Sequence, residues 1–399
     1  MATADFLVIG GGIIGLNIGR RLRREFPDSK TVLIEKEPDC GLHASGRNSG
    51  VLHAGFYYAP DSLKARFTRS GNRLLTEYCA RKGIPINKCG KLVVAKDQNE
   101  LTGLDELLNR GRANGIPLHE ISEREARVIE PRVKTYTRAL FSPTTATVDP
   151  ALVMAAMKKD AVEEGIEVRC DVAYLSHRNG RVKTSVGTFE SGYVVNAAGL
   201  YADRIARDFG FSTRYRILPF KGLYLHSSEP PGSIRTNIYP VPDLKHPFLG
   251  VHFTVAANGT IKIGPTAIPA LWREQYRGTA NFRWNEFVEI AVRGAGLLAT
   301  SEFNFTSLAL HEIAKCSRAK MVALAGQLAD RVQLEQYTTW GQPGIRAQLV
   351  DITTQKLEMD FVLEGDGKSM HVLNAVSPAF TCSLPFAEFV CERIRASLN

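Results

Sequence analysis

Apolar positions in this chain fall into three textures. Near the N-terminus, short apolar strands alternate with helical periodicity: Phe6-Leu-Val-Ile9, a helical face from about Ile13 to Phe26, then Val32-Leu-Ile34 ending on Glu35. Helical patterns are expected at about 62–82 and 99–114, in a short helix opened by the capping box Ser122-Glu-Arg-Glu125, and from Asp149-Pro150 to Glu164. Strands are expected at Lys91–Ala95, Val168–Ser176, Val182–Val186 and Tyr193–Asn196. The run Val194-Val-Asn196-Ala-Ala-Gly199 reads as a buried strand entering a small-residue turn and a helix, able to return the chain to its first sheet. After Pro219 the texture changes to short alternating strands, Gly222–His226, Ile238–Pro240, Phe248–Val255 and Thr260–Gly264, the pattern of a largely antiparallel sheet. Residues Trp284–Asp330 are mostly helical in pattern. A Gly-Pro loop, Gly341-Gln-Pro-Gly344, then precedes a strand pair turning at Glu364–Lys368 and a strand from His371 that passes into a terminal helix.

Between the first apolar strand and its helix lies Gly10-Gly-Gly12-Ile-Ile-Gly15, and Glu35 follows Gly15 at the spacing of a dinucleotide fingerprint. Gly10 permits the tight turn, Gly12 lets backbone N–H groups approach a pyrophosphate, and Gly15 lets helix and strand pack closely, while the helix N-terminus faces the anion. Glu35 is placed to take a ribose hydroxyl; its charge would repel a 2′-phosphate. The loop from Cys40 to Tyr58 is too polar and glycine-rich for a core and suits close approach of backbone to a ligand.

Composition narrows the setting. With 399 residues and 44% apolar content the chain is long enough for two domains. No segment has the roughly 20 uninterrupted apolar residues that span a bilayer; even Ile290–Leu298 contains Arg293. The fingerprint begins at Phe6, which leaves no expected room for a targeting peptide, and the seven cysteines are scattered without a C-x-x-C pair, as expected of reduced thiols in a cytoplasmic protein. A net charge of +9, dispersed without a basic run, fits an anionic cofactor with an anionic substrate or a membrane surface, and points away from nucleic acid.

Taken together, the fingerprint, His43-x-x-Gly46-x-Asn48-Ser49-Gly50-Val-Leu-His53-Ala-Gly55, Ser62-Leu-Lys64-Ala, Cys89-Gly-Lys91-Leu, Pro219-Phe-Lys221-Gly222, Tyr239-Pro-Val-Pro242, Phe248-Leu-Gly250-Val-His252, Gly344-Ile-Arg346-Ala-Gln348 and Asn374-Ala-x-Ser377-Pro378-Ala379 resemble the FAD-dependent D-amino-acid-oxidase-like superfamily and, within it, the L-2-hydroxyglutarate dehydrogenase/oxidase family. The resemblance implies an α/β fold with a Rossmann-like FAD-binding domain (1–88, 145–215, 335–399) and an interleaved substrate domain (89–144, 216–334) built on a largely antiparallel sheet plus helices. It implies FAD contacts from Gly10, Gly12, Ile13, Ile14, Gly15, Glu35, Lys36, His43, Ser45, Arg47, Asn48, Ser49, Gly50, Val51, Val172, Ala198, Gly199, Gly344, Arg346, Ser377, Pro378 and Ala379, with no metal. The implied reaction is oxidation of an L-2-hydroxy dicarboxylate, L-2-hydroxyglutarate to 2-oxoglutarate. Electrons then pass to quinone, O2 or an electron-transfer protein, with peripheral contact at the inner face of the cell membrane through the Trp284–Ala329 stretch. Three departures bear on the substrate: Leu223 stands where the family usually has an acid, Thr266 replaces an Asn, and Arg47 replaces a His.

Such a reaction needs hydride transfer from the carbinol carbon, loss of the hydroxyl proton and a fixed carboxylate. His53 and His252 are the candidate bases, since an unperturbed imidazole titrates near working pH; each can equally be a structural hydrogen-bonding histidine. Arg346 is the candidate bidentate clamp, worth on the order of 1.5–3 kcal/mol. Lys221 is expected to hold the distal carboxylate, with Lys64 as the alternative, although a lysine on an amphipathic helix is ordinarily solvated. Tyr57 and Tyr58 are either orienting hydroxyls or packing aromatics, and His43 is a loop contact to the cofactor or a point of covalent flavin attachment. The terminal helix starting at Ser377-Pro378 is expected to aim its N–H groups at the flavin, a dipole contribution of about 0.3–1 kcal/mol. Two other readings stay open: an amine or amino-acid oxidase on the same scaffold, and a flavin-binding subunit of an electron-transfer complex.

Overall fold

The computed structural model describes residues 2–244, 249–300, 312, 315 and 317–398. At its centre β1 (Ala2–Ile9) pairs in parallel with β2 (Thr31–Ile34) on one side and with Gly187–Asn196 on the other, so that Phe6 faces both Thr31 and Tyr193. Glu167–Arg169 adds outside β2, and Ser369–Asn374 adds beside Gly187–Asn196, also in parallel. Strand addition therefore reverses at β1, and the crevice beyond the carboxyl ends of β1 and Gly187–Asn196 is the topological switch point where such sheets bind ligands. Three antiparallel strands, Tyr174–Arg178, Arg181–Thr184 and Val362–Gly365, complete the eight on the side of Gly187–Asn196.

Alternation along β1 sorts its side chains to two faces. Phe6 and Val8 join the core beneath α1 (Ile13–Glu25) and the terminal helix Ala379–Leu398; Leu7 and Ile9 pack on the other face with Val32, Ile34, Val194 and Ile205. Gly71, on helix Leu63–Arg81, allows the terminal helix to cross closely, because a Cβ there would lie 2.3 Å from the Thr381 carbonyl oxygen.

A second eight-stranded sheet combines strands from 91–142 with strands from 225–264 and Thr339–Trp340. Its one parallel junction joins Lys91–Val94 to Asn237–Pro240, with Lys91 opposite Asn237 and Val93 opposite Tyr239. A four-stranded sheet bridges the two large ones: Tyr215–Gly222 runs antiparallel to Gly344–Asp351, setting Phe220 opposite Arg346 and Lys221 opposite Ile345.

The expected capping box at Ser122 forms, with Ser122 Oγ accepting from Glu125 N and Glu125 Oε2 accepting from Ser122 N. Two expected strands are divided. Val168–Ser176 becomes Glu167–Arg169 and Tyr174–Arg178 around Asp171, whose φ is 58°, and the strand expected at Gly222–His226 becomes Tyr215–Gly222 and Leu225–His226. The small-residue turn after Asn196 forms a single 3-10 turn, Gly199–Tyr201, before the helix Ala202–Asp208. The start of the strand expected from Phe248, much of the helical pattern at 301–316, and Cys316 lie outside the described residues; the other six cysteines are free thiols.

Helix α1 meets the turn before it with no spare room: a Cβ on Gly15 would lie 2.0 Å from the Gly10 carbonyl oxygen. Gly15→Val should therefore abolish soluble, folded protein, since relief requires moving the helix off the sheet. A variant with an unchanged melting temperature would contradict this packing.

Candidate active site

A cavity of about 1140 Å³ runs from the β1 crevice to the second sheet. It exceeds the roughly 300–1,000 Å³ of ordinary small-ligand sites, as a cofactor plus a substrate requires. At the crevice Gly10 adopts φ +112°, and a Cβ on it would lie 2.5 Å from the Ala197 carbonyl oxygen. A Cβ on Gly12 would meet only Ser45 Oγ, at 3.2 Å, because that position opens into the cavity. Ser45 Oγ accepts from Ile13 N at 2.9 Å, and Glu35 accepts from Gly11 N at 2.7 Å and Glu37 N at 3.0 Å, one bond per carboxylate oxygen. An anion therefore meets helix-terminal amides at Gly12 and a carboxylate with remaining lone pairs beyond them. This donor set fits a pyrophosphate and a ribose.

Asn48 shapes the polar loop, accepting from Gly50 N at 2.8 Å and donating to the Ser45 carbonyl at 2.7 Å. Nearer the mouth, His43 uses both ring nitrogens, on Tyr276 Oη at 2.7 Å and Glu37 Oε1 at 2.9 Å. Arg47 lies 4.4 Å over the Tyr276 ring, and Lys36 ion-pairs with Glu274 at 2.8 Å. Val51, Val172, Ala198, Gly199, Gly344, Ser377, Pro378 and Ala379 also line the cavity, so the terminal helix presents its N-terminus to it. Gly15 and Gly50 do not. Gly50, at φ +76°, would place a Cβ 2.1 Å from the Val148 carbonyl oxygen, so both glycines are required by backbone approach rather than by a ligand.

At the far end the walls carry His53, His252, Tyr57, Tyr58, Lys64, Tyr224, Tyr239 and Arg346. His252 stacks on Tyr239 with ring centroids 3.6 Å apart, and its Nδ1 lies 3.0 Å from the Gly250 carbonyl oxygen. A carbonyl only accepts, so Nδ1 carries the proton and Nε2 keeps a lone pair. His53 is buried with Nδ1 lacking a hydrogen-bond partner. Burial pushes both imidazoles down, His252 to about 3 and His53 well below its ordinary value, reinforced in each case by the buried ammonium of Lys91. Arg346 Nε donates to Gln348 Oε1 at 2.9 Å, and burial lowers its guanidinium to about 10. Burial, together with Arg346, holds Lys64 down to about 7 against the pull of Asp360. The charged forms of these bases are disfavoured by desolvation and by one another, which is the electrostatic signature of a site made for an anion.

Several expectations need correcting. Lys221 does not line the cavity, whereas Phe220 and Gly222 do: strand alternation puts its side chain on the face opposite that of Phe220 and its partner Arg346. Lys64 is not solvated: it is 3% exposed, since Asp360 caps the start of its helix, accepting from Leu63 N at 2.7 Å and Lys64 N at 3.0 Å. Arg346 sits on the strand Gly344–Asp351 rather than in a loop. The departures at Leu223 and Thr266 touch each other: Thr266 Oγ1 accepts from Leu223 N and donates to the Lys221 carbonyl, both at 3.1 Å. The sequence reading did not place Tyr224 and Tyr239 on the cavity wall or Lys91 behind it, although Lys91 and Tyr239 lie in motifs singled out there.

This fold and cradle define a flavin oxidoreductase: residues 5–388 match the family described as FAD dependent oxidoreductase, and the chain belongs to that family. FAD is its cofactor. Within the family it is 34% identical over 400 residues to the L-2-hydroxyglutarate dehydrogenase of Escherichia coli strain K12, covering 99% of this chain and 94% of that protein. It is also 34% identical over 420 residues to the mitochondrial L-2-hydroxyglutarate dehydrogenase of Homo sapiens, covering 99% and 89%. Among solved structures, FAD-bound L-alpha-glycerophosphate oxidase from Mycoplasma pneumoniae superposes with TM-score 0.78 at 20% identity, covering 99% of this chain and 95% of that one. Glycine oxidase from Geobacillus kaustophilus gives TM-score 0.73 at 18% identity, covering 100% and 96%.

Because the Gly12 position opens into the cavity, Gly12→Val should fold yet lose FAD, in contrast to Gly15→Val. Absorbance of the purified variant in the flavin bands checks this. A full complement of flavin in Gly12→Val would remove the pyrophosphate from that turn.

Proposed function

We propose that this chain oxidises L-2-hydroxyglutarate to 2-oxoglutarate, with Arg346 holding the carboxylate beside the reacting carbon and Lys64 holding the distal one. The observation that carries the reading is that two buried cations face the same cavity as a neutral imidazole with a free lone pair. An amine oxidase has no use for a second buried cation, and a monocarboxylate would leave Lys64 with only the pull of Asp360 to offset its burial. We assign the cofactor to the cradle of Gly10, Gly12, Ile13, Ile14, Glu35, Ser45, Asn48 and Ser49, with the N-terminus of the terminal helix at Ala379 facing the flavin. Bound FAD supplies the two-electron acceptor for the hydride.

Within that frame His252 takes the hydroxyl proton on Nε2. Its Nδ1–H donates to Gly250, which fixes both ring orientation and tautomer. A dianionic substrate in contact raises the depressed imidazole toward the range useful for a base. Tyr239 keeps the ring flat against the wall, and Arg346, held by Gln348, sets where the carbinol carbon lies. We assign the acceptor contact to the apolar face of helix Trp284–Thr300, where Trp284, Val288 and Val292 are exposed at successive turns, with quinone, oxygen or an electron-transfer protein as acceptor. None of the described helices is long and apolar enough to cross a membrane.

The direct test is anaerobic bleaching of the purified yellow protein by L-2-hydroxyglutarate. It should be fast, and slower by about 10²–10⁴-fold in His252→Ala with FAD retained. No bleaching in wild type would overturn the assignment of substrate.

The two anchors should fail differently. Arg346→Lys should lower turnover on every hydroxy acid, because an ammonium cannot reproduce the guanidinium fork. Lys64→Met should raise KM for the dicarboxylate and narrow its advantage over lactate. Since Lys64 in the free site titrates at about 7, binding an anion above that pH must take up a proton. Dissociation constants should thus weaken by up to about tenfold per pH unit above neutrality and stay flat below it. Flavin difference spectra across pH read this directly, and a slope that persists in Lys64→Met would assign it to another group.

A further inference from the structure

We propose that Lys91 is a positioning residue for the oxidation: a cation sealed against the Tyr239 ring on which His252 stacks, it keeps the imidazoles unprotonated and so extends activity toward acid pH. Lys91 is 0% exposed, and its Nζ has no hydrogen-bond partner. It lies 4.1 Å from the centroid of the Tyr239 ring, 5.0 Å from that of Tyr57 and 5.6 Å from that of Phe56. Tyr239 carries His252 on its ring, so the ammonium sits in an aromatic cage that forms part of the floor of the active site. A lysine so placed contributes no ion pair and no hydrogen bond to stability; its cation–π contacts offset only part of the loss of water. What it exerts is a field, and that field reaches the imidazoles of His252, stacked on Tyr239, and of His53.

The groups facing His252 come from four elements: Lys91 from its strand, Tyr239 from the parallel neighbour, Lys262 from the antiparallel one, and His53 from the polar loop. None is a carboxylate, and beside Lys91 itself the Cys89 thiol favours the charged ammonium against the pull of burial. Burial holds Lys91 itself down to about 7; below that pH, where protonation threatens the base, Lys91 carries its charge and resists it. Above that pH neither group is charged and the coupling is silent. The sign follows: removing the charge lets the imidazole protonate at higher pH.

This inference rests on the histidine-base reading, and the test separates the two. Wild type, Lys91→Met and Lys91→Arg are compared as holoproteins by the pH dependence of anaerobic flavin reduction and by NMR titration of carbon-labelled histidine rings, with His53 and His252 assigned through their own substitutions. In Lys91→Met the acid limb and the His252 titration should both move up by about one pH unit, the size of a like charge several ångström away in a protein interior. Lys91→Arg should keep the wild-type limb, and Lys91→Met should melt no lower than wild type, since an apolar isostere replaces a buried charge. An unmoved limb and titration in Lys91→Met, or a melting temperature that falls with them, would make Lys91 structural and overturn the proposal. An acid limb that survives His252→Gln would remove the histidine base, and the inference's catalytic consequence with it; the ring titration would still report whether Lys91 and His252 are coupled.

Discussion

Backbone proximity at one seam governs the architecture. The Gly10 carbonyl lies where a Cβ of Gly15 would be, and the Ala197 carbonyl lies where a Cβ of Gly10 would be, so β1, α1 and the strand Gly187–Asn196 meet with no side chain between them. That contact closes the sheet at the switch point and leaves the helix N-terminus open to the crevice. The polar loop and the terminal helix converge on the same crevice from elsewhere in the chain. A cavity that begins at this seam has the nucleotide cradle at one end, and whatever the second sheet contributes becomes the chemistry at the other.

The second sheet contributes Lys91, His252 and Tyr239; the helix Leu63–Arg81, the four-stranded sheet and the polar loop bring Lys64, Arg346 and His53 to the same end. Lys64, Lys91, Arg346, His53 and His252 are each shifted toward their neutral forms by burial, and in three of them a neighbouring cation adds to the shift. Placing so many basic groups out of water is unfavourable in isolation, and a dicarboxylate entering the cavity relieves it. The same desolvation favours an anionic substrate over an uncharged one. Elsewhere buried charge is handled in the opposite way: Arg273 and Asp203, both wholly buried, satisfy each other at 2.7 Å. The contrast is with Lys91, whose buried ammonium has no hydrogen-bond partner.

Much of this was legible in the chain. Apolar periodicity placed most helices and strands within a few residues, and the glycine spacing with Glu35 marked the nucleotide end, because a fingerprint is local: its residues act on one turn and the next strand. Asn48, Ser45 and Ser377, polar residues of short motifs singled out in the chain, line the cavity.

The choice between Lys64 and Lys221 was not legible, and the reason is physical. Whether a lysine faces water depends on partners far away in the chain: Asp360 caps the start of the Lys64 helix, and pairing of Phe220 with Arg346 sets the alternation that leaves Lys221 outside the cavity lining. The same holds for Arg346, a loop residue by its glycines and proline but a strand residue once Tyr215–Gly222 pairs with it. Lys91 looked like an ordinary strand lysine until Tyr239, brought alongside by the one parallel junction of that sheet, enclosed it. Composition and periodicity by themselves determined the class of fold, the cofactor end and the kinds of residue available for chemistry. Only the tertiary structure decided which charges are buried and what they face, because desolvation and Coulomb interaction depend on distances between segments that sequence spacing does not encode.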